Sequence, residues 1–322
     1  MTRKIILDTD PGVGIPGTDA DDPIALLLAL ADPRLDLLAV TTTFGNCPPE
    51  LGARGAAAVL AAAGRPDIPV GVGRGTPIAR DLPGVLRDAY DGERGREGAI
   101  ALPQIDAGAA PTAVELIIET VRRHPGEVTI VAVGPQTNLA EALAQAPDIA
   151  DAIESIVFMG GALGREPVYG RGNITPVAEC NIWFDPEAAD QVFRAGVPLT
   201  MVSLDVTSPA SGVVLAADTI RSWEPTSTAT RLLAEICSTY LDRPMFEWAD
   251  GCVLYDPLAV AVAADGALGR FEDLLVGVET NGDLTTGQTV ELRDGDPNLR
   301  ALVEVDGPRV VDHMVDTLFT HL

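Results

Sequence analysis

The sequence predicts an α/β fold, a single domain with a mainly parallel central sheet flanked by helices. Three observations carry that expectation. Short apolar, β-branched runs such as Ile5 to Leu7 read as strands buried on both faces. Each run ends in a polar turn and leads into a helical stretch, a rhythm repeated about six times, as parallel strands with crossover helices require. No linker or internal repeat divides the 322 residues, 47% of them apolar, so residues 1–322 are expected to share one domain.

The elements follow in order. After Ile5–Leu7, the run Pro11, Gly12, Gly14, Pro16, Gly17 forbids regular structure. Asp21 and Asp22 mark a helix start, Pro23 suits its first turn, and Ile24 to Leu30 supply an apolar face. Leu35 to Phe44 reads as a strand ending at Gly45-Asn46, and Pro49 to Ala63 as a helix stopped by Gly64. Ile68 to Val72 is a short strand. Thr76 to Ala107 is expected to be irregular, with Asp91 and Glu93 as acids that could reach a site. Thr112 to His124 reads as an amphipathic helix, and Val128 to Val133 and Ile153 to Met159 as strands. Asp185-Pro186-Glu187 opens a helix, and Leu199 to Val206 reads as a strand. Ala216 to Trp248 is mostly helical, broken at Pro225, and Asp256-Pro257 begins another helix. Leu275 to Arg293 suits a hairpin around Asn281-Gly282, and a strand near Leu302 to Val305 and a helix from Arg309 complete the pattern.

Charge and composition exclude several classes. The net charge is −25 and Lys4 is the only lysine, which argues against nucleic acid and anionic membranes as partners. No apolar run approaches the roughly 18 residues of a membrane span. The first strand begins at once, leaving no room for a signal peptide, so a cytoplasmic location is expected. Cys47, Cys180, Cys237 and Cys252 lack CxxC spacing and are expected as free thiols. The three histidines, His124, His313 and His321, suggest neither a metal site nor a Ser-His-Asp triad.

The chemistry gathers where the first strand ends. Asp8, Asp10, Asp19, Asp21 and Asp22 fall within fifteen residues, with no Lys or Arg between Lys4 and Arg34. One or two of them could simply cap the helix. All five call for a positive charge among them, and a hard cation held by oxygen ligands, Ca2+ first, supplies it. Asp10, Asp22 and Asp256 each stand at a strand-to-helix junction and would ligate such an ion together with a backbone carbonyl. Asn46, Asn173, Glu179 and Asn181 add donors and acceptors with little charge, which suits a hydroxyl-rich ligand such as a sugar. A phosphate-binding Gly-rich loop or Lys/Arg cluster is missing.

Asp8-Thr-Asp10-Pro-Gly followed by Asp21-Asp22 resembles the N-terminal signature of the nucleoside hydrolases of the inosine/uridine-preferring type. Val40 to Asn46 resembles the family's second element. Met159-Gly-Gly, Asn173, Glu179-Cys-Asn181 and Asp185-Pro-Glu resemble its third, and Tyr255-Asp256-Pro257 resembles its C-terminal His-Asp-Pro. The resemblance implies a Rossmann-like fold and hydrolysis of the N-glycosidic bond of a ribonucleoside to free base and ribose, a purine or pyrimidine salvage reaction. It implies Ca2+ held by Asp10, Asp22, Asp256 and the carbonyl of Val133, with Asp10 as general base toward a water. Asp21, Asn46, Asn173, Glu179 and Asn181 would hold ribose hydroxyls, and a homo-dimer or homo-tetramer would be expected. Three departures stand out. Val13 to Ala20 lengthens the first loop, either reshaping the pocket or bulging outward. Tyr255 replaces a histidine, and Asp91 stands about where another histidine sits. Help to the leaving base would then come from Tyr255, Asp91, or stacking by Trp223, Phe246 or Trp248. The alternatives are a hydrolase of an unusual N-riboside and a non-catalytic Ca2+- and ribose-binding member of the family.

Overall fold

A computed structural model describes residues 2–105, 110–165, 170–243 and 250–322. Its strands are β1 (Arg3–Thr9), β2 (Leu35–Thr42), β3 (Val70–Val72), β4 (Val128–Ala132), β5 (Ile153–Met159), β6 (Leu199–Val202), β7 (Val214–Ala216), β8 (Gly251–Val253), β9 (Gly269–Leu274), β10 (Val276–Val278), β11 (Thr289–Glu291) and β12 (Leu299–Val305). Eight of them form one sheet in the order β3-β2-β1-β4-β5-β6-β12-β9. Neighbours in it run parallel except for the β12–β9 pair.

The order of the strands decides where a ligand can sit. The chain starts at β1, moves outward through β2 and β3, then returns to lay β4 against the other side of β1. The loops after β1 and β4 therefore diverge, and a crevice opens between them at the carboxyl ends of the strands.

Period-2 alternation splits β1 between two cores. Ile5 and Leu7 pack on one face with the helices Asp21–Ala31 and Tyr255–Ala264, while Ile6 faces the helices Ala113–Arg123 and Thr137–Gln145. Asp21–Ala31 and Tyr255–Ala264 are buried almost throughout and pack on one another, as their nearly unbroken apolar sequences require. That contact brings Asp22 and Asp256, distant in sequence, to neighbouring helix starts. Among the described residues no helix is long and apolar enough to cross a membrane.

Several expectations needed correction. The stretch from Thr76 to Ala107 contains a helix, Gly84–Asp91, and a 3-10 turn, Glu93–Gly95, too short for periodicity to reveal. The β7–β8 ribbon, three residues a strand, escaped for the same reason. The hairpin near Asn281-Gly282 exists as β10–β11, with a wide connection from Glu279 to Gln288 in place of a two-residue turn. Trp223 packs against Phe319 at 5.0 Å between ring centroids, half-buried at the edge of the core and away from the cavity. The four cysteines are free thiols, as expected.

The Val13–Ala20 loop turns inward. Val13 and Ile15 are 0% and 3% exposed and join Ile100 and Leu102 in the same apolar cluster. The Thr18 hydroxyl donates to the carbonyls of Gly12 and Ile15 at 2.9 and 2.8 Å, closing the loop on itself. Ile15→Ala should accordingly lower the unfolding free energy by about 2–5 kcal/mol in a urea titration, the cost of truncating a packed side chain. A loss below about 0.5 kcal/mol, the usual surface effect, would mean that the loop is not part of the core.

Candidate active site

The crevice after β1 and β4 holds a cavity of about 340 Å³. Its acidic floor consists of Asp10, Asp19, Asp21, Asp22 and Asp256, with Val133 beside them. Asn46, Asn173, Glu179, Asn181 and Tyr255 line the same space, and Val85, Leu86, Ile174 and Phe184 form an apolar wall. Asp91 does not line it. It ends the helix Gly84–Asp91 with an exposed side chain, because that helix turns Leu86 inward instead. Trp248 and Phe246 lie outside the described residues.

The aspartates do not behave as helix caps. The cap position of the helix Asp21–Ala31 is Ala20, with no side-chain cap bond. Asp22 instead accepts from the Thr9 hydroxyl at 2.5 Å, the Asp10 amide at 3.0 Å and the Asn46 side-chain amide at 2.8 Å. Asp10 Oδ2 accepts from the Asn46 backbone amide at 2.6 Å, and Asp21 Oδ2 from the Asp256 amide at 3.2 Å. Oxygens of Asp21, Asp22 and Asp256 come within 4.8 Å of one another. This trio differs from the expected ligand set by containing Asp21 in place of Asp10, which lines the cavity alongside them.

Two glycines seat Asp10. A Cβ on Gly45, where φ is +151°, would stand 1.9 Å from Asp10 Oδ2. One on Gly134 would stand 2.8 Å from Oδ1. Asp8 belongs to a separate layer. Thr41 and Asn138 donate to its Oδ1 at 2.6 and 2.7 Å, and burial raises its carboxyl to about 6.

The sugar-type polar groups are themselves held in place. Glu179 caps the helix Cys180–Phe184, accepting from the amides of Gly161, Asn181 and Ile182 at 2.8, 2.8 and 3.1 Å. The Asn181 side-chain amide donates to the Val133 carbonyl at 2.9 Å and the Met159 carbonyl at 3.2 Å. Asn173 Oδ1 accepts from the Cys180 amide at 3.0 Å.

Burial, and then repulsion from neighbouring carboxylates, pushes Asp10, Asp21 and Asp256 well above the usual carboxylate range. Asp19 is raised to about 7 by burial and by Asp22, against an opposing pull from Arg94. Such a set stays ionised at neutral pH only beside a positive charge. Its all-oxygen carboxylate donors fit a hard divalent cation.

Sequence reasoning passed over Arg94 and Tyr90. Arg94 enters the cavity from the turn Glu93–Gly95. The Tyr90 hydroxyl accepts from the Gly45 amide at 2.8 Å and lies 3.1 and 3.2 Å from the carbonyls of Gly45 and Cys47, bracing the loop that carries Asn46. Neither has a local signal, since a lone Tyr or Arg in a short helix and turn becomes meaningful only through its distant partners.

The chain and its fold resemble known proteins over nearly their whole length. A pyrimidine-specific ribonucleoside hydrolase RihA of Citrobacter koseri is 39% identical over 325 residues, covering 99% of this chain and 98% of that protein. One from a Shewanella species is 40% identical over 324 residues, covering 99% and 96%. Among solved structures, a purine-preferring ribonucleoside hydrolase from Gardnerella vaginalis superposes with a TM-score of 0.84 at 33% identity, covering 99% and 98%. A plant nucleoside hydrolase gives 0.83 at 29% identity, covering 99% of both chains. These likenesses define the class of the protein, an N-glycosidase of the ribonucleoside hydrolase kind. Within it, the chain belongs to the inosine-uridine preferring nucleoside hydrolase family, which it matches over residues 5–312.

Gly134→Ala tests the seat of Asp10. The added methyl group would also meet Thr43 Cγ2 at 2.7 Å, so the carboxylate must move. A displacement of about 1 Å of this cavity-lining carboxylate should lower kcat/KM about 10²-fold. Steady-state kinetics beside a thermal melt would check this, and an unchanged kcat/KM would show that Asp10 does not need this position.

Proposed function

We propose that the cavity hydrolyses the N-glycosidic bond of ribonucleosides with Ca2+ held by Asp10, Asp22, Asp256 and the Val133 carbonyl. The observation that carries the reading is the buried carboxylate group sharing one cavity with Asn46, Asn173, Glu179 and Asn181. When bound, the ion would supply Lewis acidity toward water and a grip on vicinal hydroxyls.

The remaining work falls to the protein's own groups. Asp10, oriented by the Asn46 amide, takes the proton of the water that attacks C1′. Asp21, Asn46, Asn173, Glu179 and Asn181 receive the ribose hydroxyls, and their fixed hydrogen bonds hold the ring in reacting geometry. As the base departs, C1′ takes on oxocarbenium character, and the anionic floor stabilises that charge. Tyr255 offers a phenol to the leaving group, and the wall of Val85, Leu86, Ile174 and Phe184 accepts a flat base. The likeness to pyrimidine-specific relatives at 39% and 40% identity favours uridine and cytidine as substrates.

Base release from uridine, cytidine and inosine, followed with and without a chelator, tests the reading. Chelation should abolish turnover and added Ca2+ should restore it. Asp10→Asn should lower kcat by about 10²–10⁴-fold, the usual worth of a general base. The inward loop, whose Gly17 and Asp19 line the cavity, favours a modified N-riboside as the second reading. Silence on all three nucleosides with retained ribose binding would select it. Undiminished turnover by Asp10→Asn would remove the proposed mechanism.

A further inference from the structure

Arg94 has an unusual setting for a cation in so acidic a protein. Among the described residues it forms no ion pair, whereas many other arginines bind a carboxylate. Its Nε donates to the Asn46 carbonyl at 2.6 Å and its Nη2 to the Gly45 carbonyl at 2.7 Å. Both partners are neutral, so the positive charge is held in the cavity without being quenched by a contact. Nη1 donates to no described protein atom, which leaves N–H groups for a ligand.

The inward loop holds the segment that follows this side chain. The Ala99 amide donates to the Gly14 carbonyl at 3.1 Å, and Gly98 lies so near that a Cβ there would stand 1.8 Å from the same oxygen. Arg54 ties the far end, donating to the carbonyls of Pro103 and Leu102 at 2.8 and 3.0 Å and pairing with Glu97. Ile100 and Leu102 complete the junction by packing with Val13 and Ile15. The segment following Arg94 is thus fastened to the loop between β1 and its helix.

We infer that Arg94 is a catalytic residue that holds the departing base, donating to an acceptor on the ring as negative charge develops there. This deepens the hydrolase reading and rests on it. As the C1′–N bond breaks, its electron pair remains on the base. The water oxygen forms the new bond to C1′, and the water's proton passes to Asp10 and then to solvent. The released base anion takes its own proton from solvent. A guanidinium stays protonated throughout, so Arg94 contributes charge and hydrogen bonds and no proton. A phenol such as Tyr255 can donate a hydrogen bond but brings no positive charge, so Arg94 supplies what Tyr255 cannot.

The test is the dependence on the leaving group. Arg94→Gln should lower kcat on the nucleoside that the wild-type enzyme cleaves fastest by about 10²-fold, as removal of one charge-stabilising donor does elsewhere. On 4-nitrophenyl riboside, whose leaving group is a stable anion unaided, the variant should match the wild type. That retained activity also reports an intact fold and an intact ribose site. Asp10→Asn should lose both substrates. Equal losses of Arg94→Gln on the two substrates would reduce Arg94 to a brace for the Asn46 loop and overturn the inference, as would no loss on either. Wild-type enzyme that cleaves the nitrophenyl riboside but no nucleoside would overturn the role of Arg94 while leaving the ribose chemistry standing. Failure on both would remove the hydrolase reading itself, and the inference with it.

Discussion

Buried carboxylates at the end of β1 set the terms for the rest of the molecule. Asp10, Asp21, Asp22 and Asp256 are each at most 4% exposed; the last three face one another at close range, and Asp10 lines the same cavity. Without a compensating charge, burial and repulsion favour their protonated forms. A cation reverses that preference, and the residues around the cage are arranged to keep the oxygens converging on one place. Thr9, the Asp10 amide and the Asn46 side chain all donate to Asp22, while the Asn46 amide pins Asp10. The same two elements, the strand end and the Asn46 loop, therefore fix two acids at once.

The parallel sheet makes such a cage possible. Only at the point where strand order reverses do two consecutive loops part far enough to admit a ligand while their strands remain hydrogen-bonded. Asp10 leaves β1 and Val133 leaves β4 on either side of that opening, and β1 and β4 pair from Lys4 to Asp8 against Val128 to Ala132. Asp256 arrives by another route, through packing of its apolar helix on the helix that begins with Asp21 and Asp22. Hydrophobic burial along those two helices thus determines a distance between charged groups at their starts.

Much of this was legible because local rules carry it. Asp8-Thr-Asp10-Pro-Gly, Asp21-Asp22 before an apolar helix, and Asp256-Pro257 announce strand-to-helix junctions by turn and helix-start chemistry alone. Asn46 follows the end of β2, and Asn173, Glu179 and Asn181 lie in the polar connection after β5, on the side of the sheet where the rim was expected. What stayed hidden depends on long-range contact. Asp91 and Arg94 are three residues apart in one glycine-rich stretch of sequence, at the end of a helix and in the turn after it, and nothing local says which of them faces the cavity. The choice is made by the carbonyls of Gly45 and Asn46, almost fifty residues upstream. Asp8 looked equivalent to Asp10, yet Thr41 and Asn138 turn it to a different layer.

The loop from Val13 to Ala20 shows how an irregular segment can acquire a definite place. Glycines and prolines prevent it from forming a helix or strand, so its order must come from side chains and from backbone partners elsewhere. Val13 and Ile15 provide the first by entering the core, and the Gly14 carbonyl provides the second by accepting from Ala99. Those contacts reach the segment that follows Arg94, so the backbone around the cavity's cation is held by the same loop that ends at its anions, Asp19, Asp21 and Asp22. Charge of both signs is thereby referred to one piece of backbone. The guanidinium itself is fixed by the carbonyls of Gly45 and Asn46, so its position depends on the Asn46 loop as well.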